Sequence, residues 1–328
     1  MKVYPDIIKL RAKKPVVTIG VFDGVHEGHH LILNKCLEKA KKIGGESVVI
    51  TFWPHPKLIL GKDPHKLKYL NTLEEKQILL EKSGIDHLII IPFTKKFAGL
   101  SAKKFIKKYL VKKIKLKYII VGYNHQFGKK RKGNFKLLEK YAEKYHFGVE
   151  QLDAKIIEKE SVSSTVIRRS LDKGDLITAN KYLGYDYLIR GTIIKGKKIG
   201  SKIGFPTANI EVNDNNKLIP KDGVYAVFVT YNNRVYKGML NIGIRPTIDD
   251  RIKQKIIEVH IIDFNEDIYN KKITFIFVAR IRDEKKFRNI EELKSQLLKD
   301  KGKILEVLNN KKESLFINNN LYHERNNG

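Results

Sequence analysis

Residues 26–30 read HEGHH, and two chemistries fit the same five letters. As H-E-x-x-H, His26 and His30 would be zinc ligands and Glu27 the base of a metal-dependent hydrolase. As H-x-G-H, His26, Gly28 and His29 would form a nucleotide-binding element that needs no zinc. The neighbours favour the second reading. Zinc ligation requires both histidines on one face of a formed helix, yet His26 lies in a turn just after Asp23–Gly24. Gly28, a poor helix-interior residue, stands between the histidines. His30 is followed by LILNKC, not by the x-x-G-x-x-H that extends the zinc pattern.

The flanking segments explain why histidines there would be useful. VVTIGVF (16–22) reads as a buried strand, DGVHEG as a turn, and HHLILNKCLEKAKKIG as a helix with an apolar stripe of Leu31, Ile32, Cys36, Ala40 and Ile43. A strand, a glycine-bearing turn and a helix start leave free backbone N–H groups at the carboxyl edge of a sheet, where phosphates bind. His26 and His29 would donate to phosphate oxygens there and stabilise charge that develops during transfer. The alternative for His29 is a cap or packing role at the helix start. Neither G-x-x-x-x-G-K-[ST] nor G-x-G-x-x-G occurs, so a nucleotide is handled by another route.

The elements that must position this turn alternate. Strands are expected at 47–53, 87–92 and 117–123, and helices at 73–83, 101–110 and 134–145, which indicates an α/β, mainly parallel, doubly wound sheet. Near residue 185 the pattern changes to short strands: YLIRGTII, GVYAVFVTY, RVYKGML, IIEVHIID and KITFIFVARI. Gly, Pro and Asn punctuate them, as in a small antiparallel barrel. A final helix is expected at 290–308. The domains expected are 1–184, 185–310 and a polar C-terminal tail at 311–328, with no internal repeat.

Composition narrows the function classes. With 42% hydrophobic and 31% charged residues the chain reads as globular. One cysteine, Cys36, excludes an internal disulfide and a multi-cysteine metal site. The first residues lack the apolar core of a signal peptide, and runs such as LIIIPF are far shorter than a membrane span, so a cytoplasmic protein without a membrane partner is expected. The net charge of +29 suits either a nucleic-acid binder or a lysine-rich surface. Lysines are spread along the whole chain and no recognition motif accompanies them, so the expected partners are small phosphorylated molecules and not nucleic acid.

Longer motifs point to a family. GVFDGVHEGHHLIL, TFWPHP (51–56), VGYNHQFGKKRKG (121–133) and VSSTVIRRSLDKGD (162–175) resemble the adenylyltransferase half of bacterial bifunctional riboflavin kinase/FAD synthetases. GFPTANI (204–210), PKDGVYAV (220–227), NIGIRPT (241–247), EVHIIDF (258–264) and RDEKKF (282–287) resemble the kinase half, and all run in family order. The resemblance implies a Rossmann-like nucleotidyltransferase domain followed by a six-stranded Greek-key barrel with a C-terminal helix. It also implies two reactions that use ATP and Mg²⁺: riboflavin to FMN, then FMN to FAD with release of pyrophosphate.

The resemblance implies residue roles as well. His26 and His29 contact the ATP phosphates, while Gly20, Phe22 and Asp23 help form the nucleotide pocket. Asn124 is a substrate contact, standing where many relatives have Asp, beside His125 where Phe is common. Ser163, Ser164, Thr165 and Arg168 form a second phosphate-side loop, since hydroxyls and a guanidinium fork suit phosphate; the same stretch also reads as a helix cap. Trp53 and His55 line the flavin pocket, or stiffen a strand end together with the prolines.

In the kinase half a ribityl hydroxyl, a poor nucleophile, needs a base, which the resemblance assigns to Glu258. By itself Glu258 reads as an edge-strand surface carboxylate. Thr207 and Asn209 are oxygen donors suited to Mg²⁺ and its phosphates, with Thr207 as a Mg²⁺ ligand. Gly196, Gly200 and Gly204 punctuate a loop over the phosphates. Ser201 stands there where relatives often have Arg, and Lys202 substitutes as a point charge. Arg282 contacts the FMN phosphate or closes over the flavin; the alternative is a surface ion pair with Asp283 or Glu284.

Overall fold

The computed structural model describes residues 1–6, 10–61, 63, 67–157, 160–196, 200–245 and 254–311. It divides into two compact units, Met1–Ser164 and Thr165–Gly328. Residues 312–328 of the expected tail, Pro246 and Thr247 of the NIGIRPT motif and the side chains of Ser201 and Lys202 lie outside the described residues.

The first unit contains β1 (Lys2–Tyr4), β2 (Val16–Ile19), α1 (Glu27–Ile43), β3 (Ser47–Trp53), α2 (Pro56–Leu60), α3 (Leu73–Lys82) and β4 (His87–Pro92). It continues with α4 (Lys95–Ala98), α5 (Ala102–Phe105), a π-helical segment Ile106–Ile114, β5 (Tyr118–Gly122), α6 (Phe135–Tyr145), β6 (Gly148–Leu152) and the hairpin β7 (Ile156–Ile157)/β8 (Glu160–Ser161). Six strands form one parallel sheet in the order β1-β4-β3-β2-β5-β6. The central strands are apolar on both faces, Val16–Ile19 being buried throughout, as a sheet covered by helices on both sides requires. The chain steps outward from β2 through β3 to β4, then returns to place β5 on the other side of β2. That reversal puts a crevice at the carboxyl end of β2.

Three local expectations need correction. Strand β2 stops at Ile19 and not at residue 22, because Phe22 adopts φ 48°, which no strand tolerates. The apolar stripe of α1 buries Leu33 with Cys36 and Ala40, whereas Leu31 is exposed. The helix expected at 101–110 is a short α-turn that widens into a π-helix and runs to Ile114.

The second unit begins within α7 (Ser164–Lys173) and continues through α8 (Leu176–Leu183), β9 (Leu188–Ile194), β10 (Ala208–Glu211), β11 (Gly223–Tyr231), β12 (Arg234–Arg245), β13 (Gln254–Ile261), β14 (Lys272–Arg282) and α9 (Ile290–Asn310). The six strands close into an antiparallel barrel in the order β10-β13-β12-β11-β14-β9. Tyr225, Val227, Leu240, Ile242, Val259 and Phe275 are among its buried residues. Closure removes sheet edges. Glu258 is therefore not on an edge strand: β13 lies between β10 and β12.

Candidate active sites

The turn between β2 and α1 is strained and heavily restrained. Phe22 (φ 48°) and Val25 (φ 37°) both occupy the left-handed region, at a cost of about 1–3 kcal/mol each for ordinary residues. Hydrogen bonds from several elements hold the turn in place. Gly20 N donates to Ile50 O at 3.0 Å. Thr51 Oγ1 and Lys76 Nζ both donate to Val21 O, at 3.1 and 2.7 Å. Leu70 N donates to Asp23 Oδ1 and Ser164 Oγ to Asp23 O, each at 2.8 Å. Phe22 and Asp23 are buried, so both act here by shaping the turn.

That turn delivers the two histidines. His26 is the extended N-cap of α1 (φ −75°, ψ 175°), and its carbonyl accepts from His29 N at 2.7 Å. In return His29 Nδ1 accepts from His26 N at 3.2 Å. His29 thus takes the reciprocal capping position that Glu or Gln often fills. The two imidazoles stack with centroids 3.6 Å apart and 16° between planes, and Phe22 packs 5.1 Å from His29. Because Nδ1 is an acceptor, the neutral ring carries its proton on Nε2, which is the donor left for a ligand. Burial holds the His29 pKa well below the usual histidine value, helped by the neighbouring charges of His26, His30 and Lys76.

Gly28 is explained by the same packing. A Cβ there would lie 3.3 Å from His26 Cε1 and Nδ1 and 3.6 Å from Val162 O, so any side chain presses on the His26 ring. The zinc arrangement does not form. His26 caps the helix instead of lying within it, and among the described residues no group of three or more His, Cys, Asp or Glu is placed to hold a metal ion.

Trp53 and His55 leave the carboxyl end of the adjacent strand. Half-buried Trp53 packs edge-on to Tyr69 at 5.2 Å, and Lys76 Nζ lies 5.4 Å from its ring centroid. His55 is buried and caps α2, its Nδ1 accepting from Lys57 N at 3.0 Å, which is the stiffened strand end that the sequence offered as its alternative. The loop after β5 leaves the same sheet edge beside β2. It carries exposed Asn124, and His125, whose ring stacks 5.6 Å from Phe127 and whose pKa burial lowers to about 4. Ser164 is tied to the Asp23 carbonyl; exposed Thr165 and half-buried Arg168 follow it on α7.

One buried residue of this cluster, Lys76, lies in none of the motifs. A lysine in LEEKQILL looks like any other in a chain this basic. Its only signal is position: Leu79 and Leu80 lie one helical turn further along α3 and are buried on the same stripe.

In the barrel, strand register assembles the second set. Glu258 on β13 pairs with Asn209 on β10 and with Asn241 on β12. Ile257 and Val259 face the interior, so Glu258, half-buried, stands on the outer face between two amides. His260 follows on that face, its Nδ1 2.9 Å from Pro206 O and its ring 5.2 Å from Phe205. The GFPTAN segment is thereby fixed against β13, with Thr207 half-buried and Gly204 exposed at φ 83°. A Cβ at Gly196 would collide with the Asn209 amide, so this loop needs glycine to approach the asparagine. Asn241 is the member of the row that the sequence did not single out.

Arg282 is not in a surface pair with Asp283 or Glu284. Its guanidinium forks onto Asp300 of α9, with Nη2–Oδ2 at 2.7 Å and Nε–Oδ2 at 2.9 Å, and Nη1 donates to Asp283 O at 2.9 Å. Asp300 is 1% exposed and also accepts from Gln296 Nε2 at 2.8 Å. Asp283 pairs instead with Arg280 at 2.6 Å. Breaking a buried pair leaves an uncompensated charge, so Asp300→Ala is expected to cost about 3 kcal/mol. Urea unfolding of the full chain measures it.

Comparison with known proteins agrees with both halves. The FAD synthetase family model matches residues 8–166 and the riboflavin kinase model residues 183–308. A bifunctional riboflavin kinase/FMN adenylyltransferase from Listeria monocytogenes is 39% identical, covering 87% of this chain and 90% of the relative. Its Bacillus subtilis counterpart is 37% identical over 93% and 96% of the two chains. A crystal structure from Streptococcus pneumoniae described as a macrolide-efflux protein superposes with TM-score 0.84 at 31% identity, covering 94% of this chain and 99% of that one. Among the described residues of this chain no helix is long and apolar enough to cross a membrane. The chain belongs to the bifunctional riboflavin kinase/FMN adenylyltransferase family, enzymes that phosphorylate riboflavin to FMN and adenylylate FMN to FAD.

Proposed function

We propose that the two reactions are divided between the two clusters described above. In adenylyl transfer an FMN phosphate oxygen attacks the α-phosphorus of ATP and the bond to pyrophosphate breaks. The nucleophile is already an anion, so alignment and charge neutralisation matter more than a base. His26 and His29 donate to the ATP phosphates; Gly20, Phe22 and Asp23 shape the turn beneath them. Asn124, Ser164, Thr165 and Arg168 complete the phosphate contacts, and Trp53 borders the flavin, with His55 fixing the strand end. The observation that carries this half is the stacked, reciprocally capped His26–His29 pair at the reversal point of the sheet.

The protonation of His29 makes this half testable. A proton on Nδ1 would oppose the His26 N–H it now accepts. FMN adenylylation should therefore persist below pH 6.5 and fall only as pH drops through the depressed His29 pKa. A pH profile of kcat/KM with FMN as substrate checks this; an acid limb at or above the usual histidine value would contradict it.

In the kinase reaction Glu258 takes the proton of the terminal ribityl hydroxyl as its oxygen attacks the γ-phosphorus and ADP leaves. The row Asn209–Glu258–Asn241 carries this assignment. Thr207 and Asn209 offer hard oxygen donors beside that carboxylate and would hold Mg²⁺, which when bound offsets phosphate charge. Lys202 would add a point charge toward the phosphates, and Arg282, anchored to Asp300 of α9, would contact the FMN phosphate or close over the flavin. Thr207→Ala should raise the Mg²⁺ concentration for half-maximal kinase activity about tenfold and leave adenylylation unchanged, as a Mg²⁺ titration of each reaction would show.

The functional boundary is placed near residue 185, which leaves α7 and α8 with the adenylyltransferase although the compact units divide at Ser164. The FAD synthetase match ends at 166 and the riboflavin kinase match begins at 183, on either side of most of that stretch. Both reactions consume ATP, which supports a cytoplasmic enzyme whose partners are the small molecules riboflavin, FMN and ATP, with no nucleic acid or membrane among them.

A further inference from the structure

Lys76 is 1% exposed, although burying an ammonium is costly unless partners compensate. Its surroundings belong to the adenylyltransferase turn. Nζ donates to Val21 O at 2.7 Å, an oxygen that also accepts from Thr51 Oγ1. Val21 is flanked by Phe22, the first strained residue of the turn. Trp53 covers the ammonium from the carboxyl end of β3. The charged or titratable groups that act on this region are Asp23 in the turn and His26, His29 and His30 of α1. Glu75, next to Lys76, is used by its own helix, accepting from Thr72 N at 2.8 Å.

We infer that Lys76 is a positioning residue for adenylyl transfer: its ammonium clamps the Val21 carbonyl so that the strained turn presents His26 and His29 to the phosphates, and it sets a fixed positive charge beside His29. This rests on the reading that the histidine pair binds ATP. A lysine serving only as filler would not need to bond the one carbonyl that precedes the strained segment. Burial lowers the Lys76 pKa to about 8, with Asp23 opposing the shift, so the ammonium is charged at neutral pH. Its charge is one cause of the low His29 pKa. As pH rises through about 8 the charge is lost, and adenylyl transfer should fall with it.

The test uses full-length Lys76→Met, similar in length and uncharged, and Lys76→Arg, which keeps the charge. Riboflavin phosphorylation reports on the barrel, and a cooperative urea transition in the emission of Trp53, the only tryptophan, reports on the first unit. With both intact, Lys76→Met should lower kcat for FMN adenylylation about 10²-fold, the scale set by small misplacements of reacting groups. It should change KM less. The acid limb of kcat/KM should move up in pH in Lys76→Met and stay in place in Lys76→Arg. The alkaline limb near 8 in the wild type should move up in Lys76→Arg.

Wild-type kcat in Lys76→Met, or a loss of activity with an unmoved acid limb, would overturn the inference and leave Lys76 a core residue only. If Lys76→Met does not fold, an alkaline limb that persists at about 8 in Lys76→Arg overturns it equally. A wild-type enzyme that makes FMN but no FAD would instead remove the reading on which the inference rests.

Discussion

Glu258→Gln should lose riboflavin phosphorylation by about 10³-fold, within the range for removing a positioned general base, and keep FMN adenylylation. The amide preserves size, and the register Asn209–Glu258–Asn241 is held by backbone strand pairing, so the row should stay in place. What disappears is the ability to accept a proton from a hydroxyl that would otherwise remain a poor nucleophile. Supplied with FMN and ATP, the variant should make FAD at the wild-type rate; supplied with riboflavin, it should make almost nothing. A kinase rate within a few-fold of wild type would mean that Glu258 orients the substrate and does not take its proton.

His29→Ala should give the mirror result: FMN accumulates and FAD does not form. Removing one preorganised donor to developing charge typically costs about 10²–10³ in kcat. Here the substitution removes more than a donor. It deletes the acceptor of the His26 N–H and the ring stacked against His26, so both histidines lose their fixed positions. The cap contributes about 1 kcal/mol to the start of α1, too little to unfold the unit. The measurement is FAD formation from FMN, with riboflavin phosphorylation in the same preparation as control.

The legible part of the molecule is the part whose physics is local. HEGHH after an apolar strand announces a helix start at the carboxyl edge of the sheet because strand, turn and N-cap lie within one short stretch of chain. Even there the strain at Phe22 and Val25 was hidden, since nothing in those residue types announces positive φ. The barrel is readable as a series of short strands, but its closure depends on β9 meeting β14 and β10 meeting β13, pairings of distant segments. The site residues divide in the same way. Glu258 and Asn209 stand out as candidates in their motifs, whereas Asn241 comes beside Glu258 only through the β12–β13 register. Arg282 was noticed, but its partner Asp300 comes from a helix in which an aspartate ordinarily faces water. Lys76 was invisible because burial of a lysine is a tertiary fact.

The central claim is that one chain carries two separate sites acting in sequence, and a single chromatographic time course tests it most directly. Wild-type enzyme, His29→Ala and Glu258→Gln are each incubated with riboflavin, ATP and Mg²⁺, with a parallel series started from FMN. The account predicts FMN and then FAD from wild type, FMN alone from His29→Ala, and FAD from Glu258→Gln only when FMN is supplied. Loss of both reactions in either variant, or no flavin nucleotide from the wild type, would contradict it.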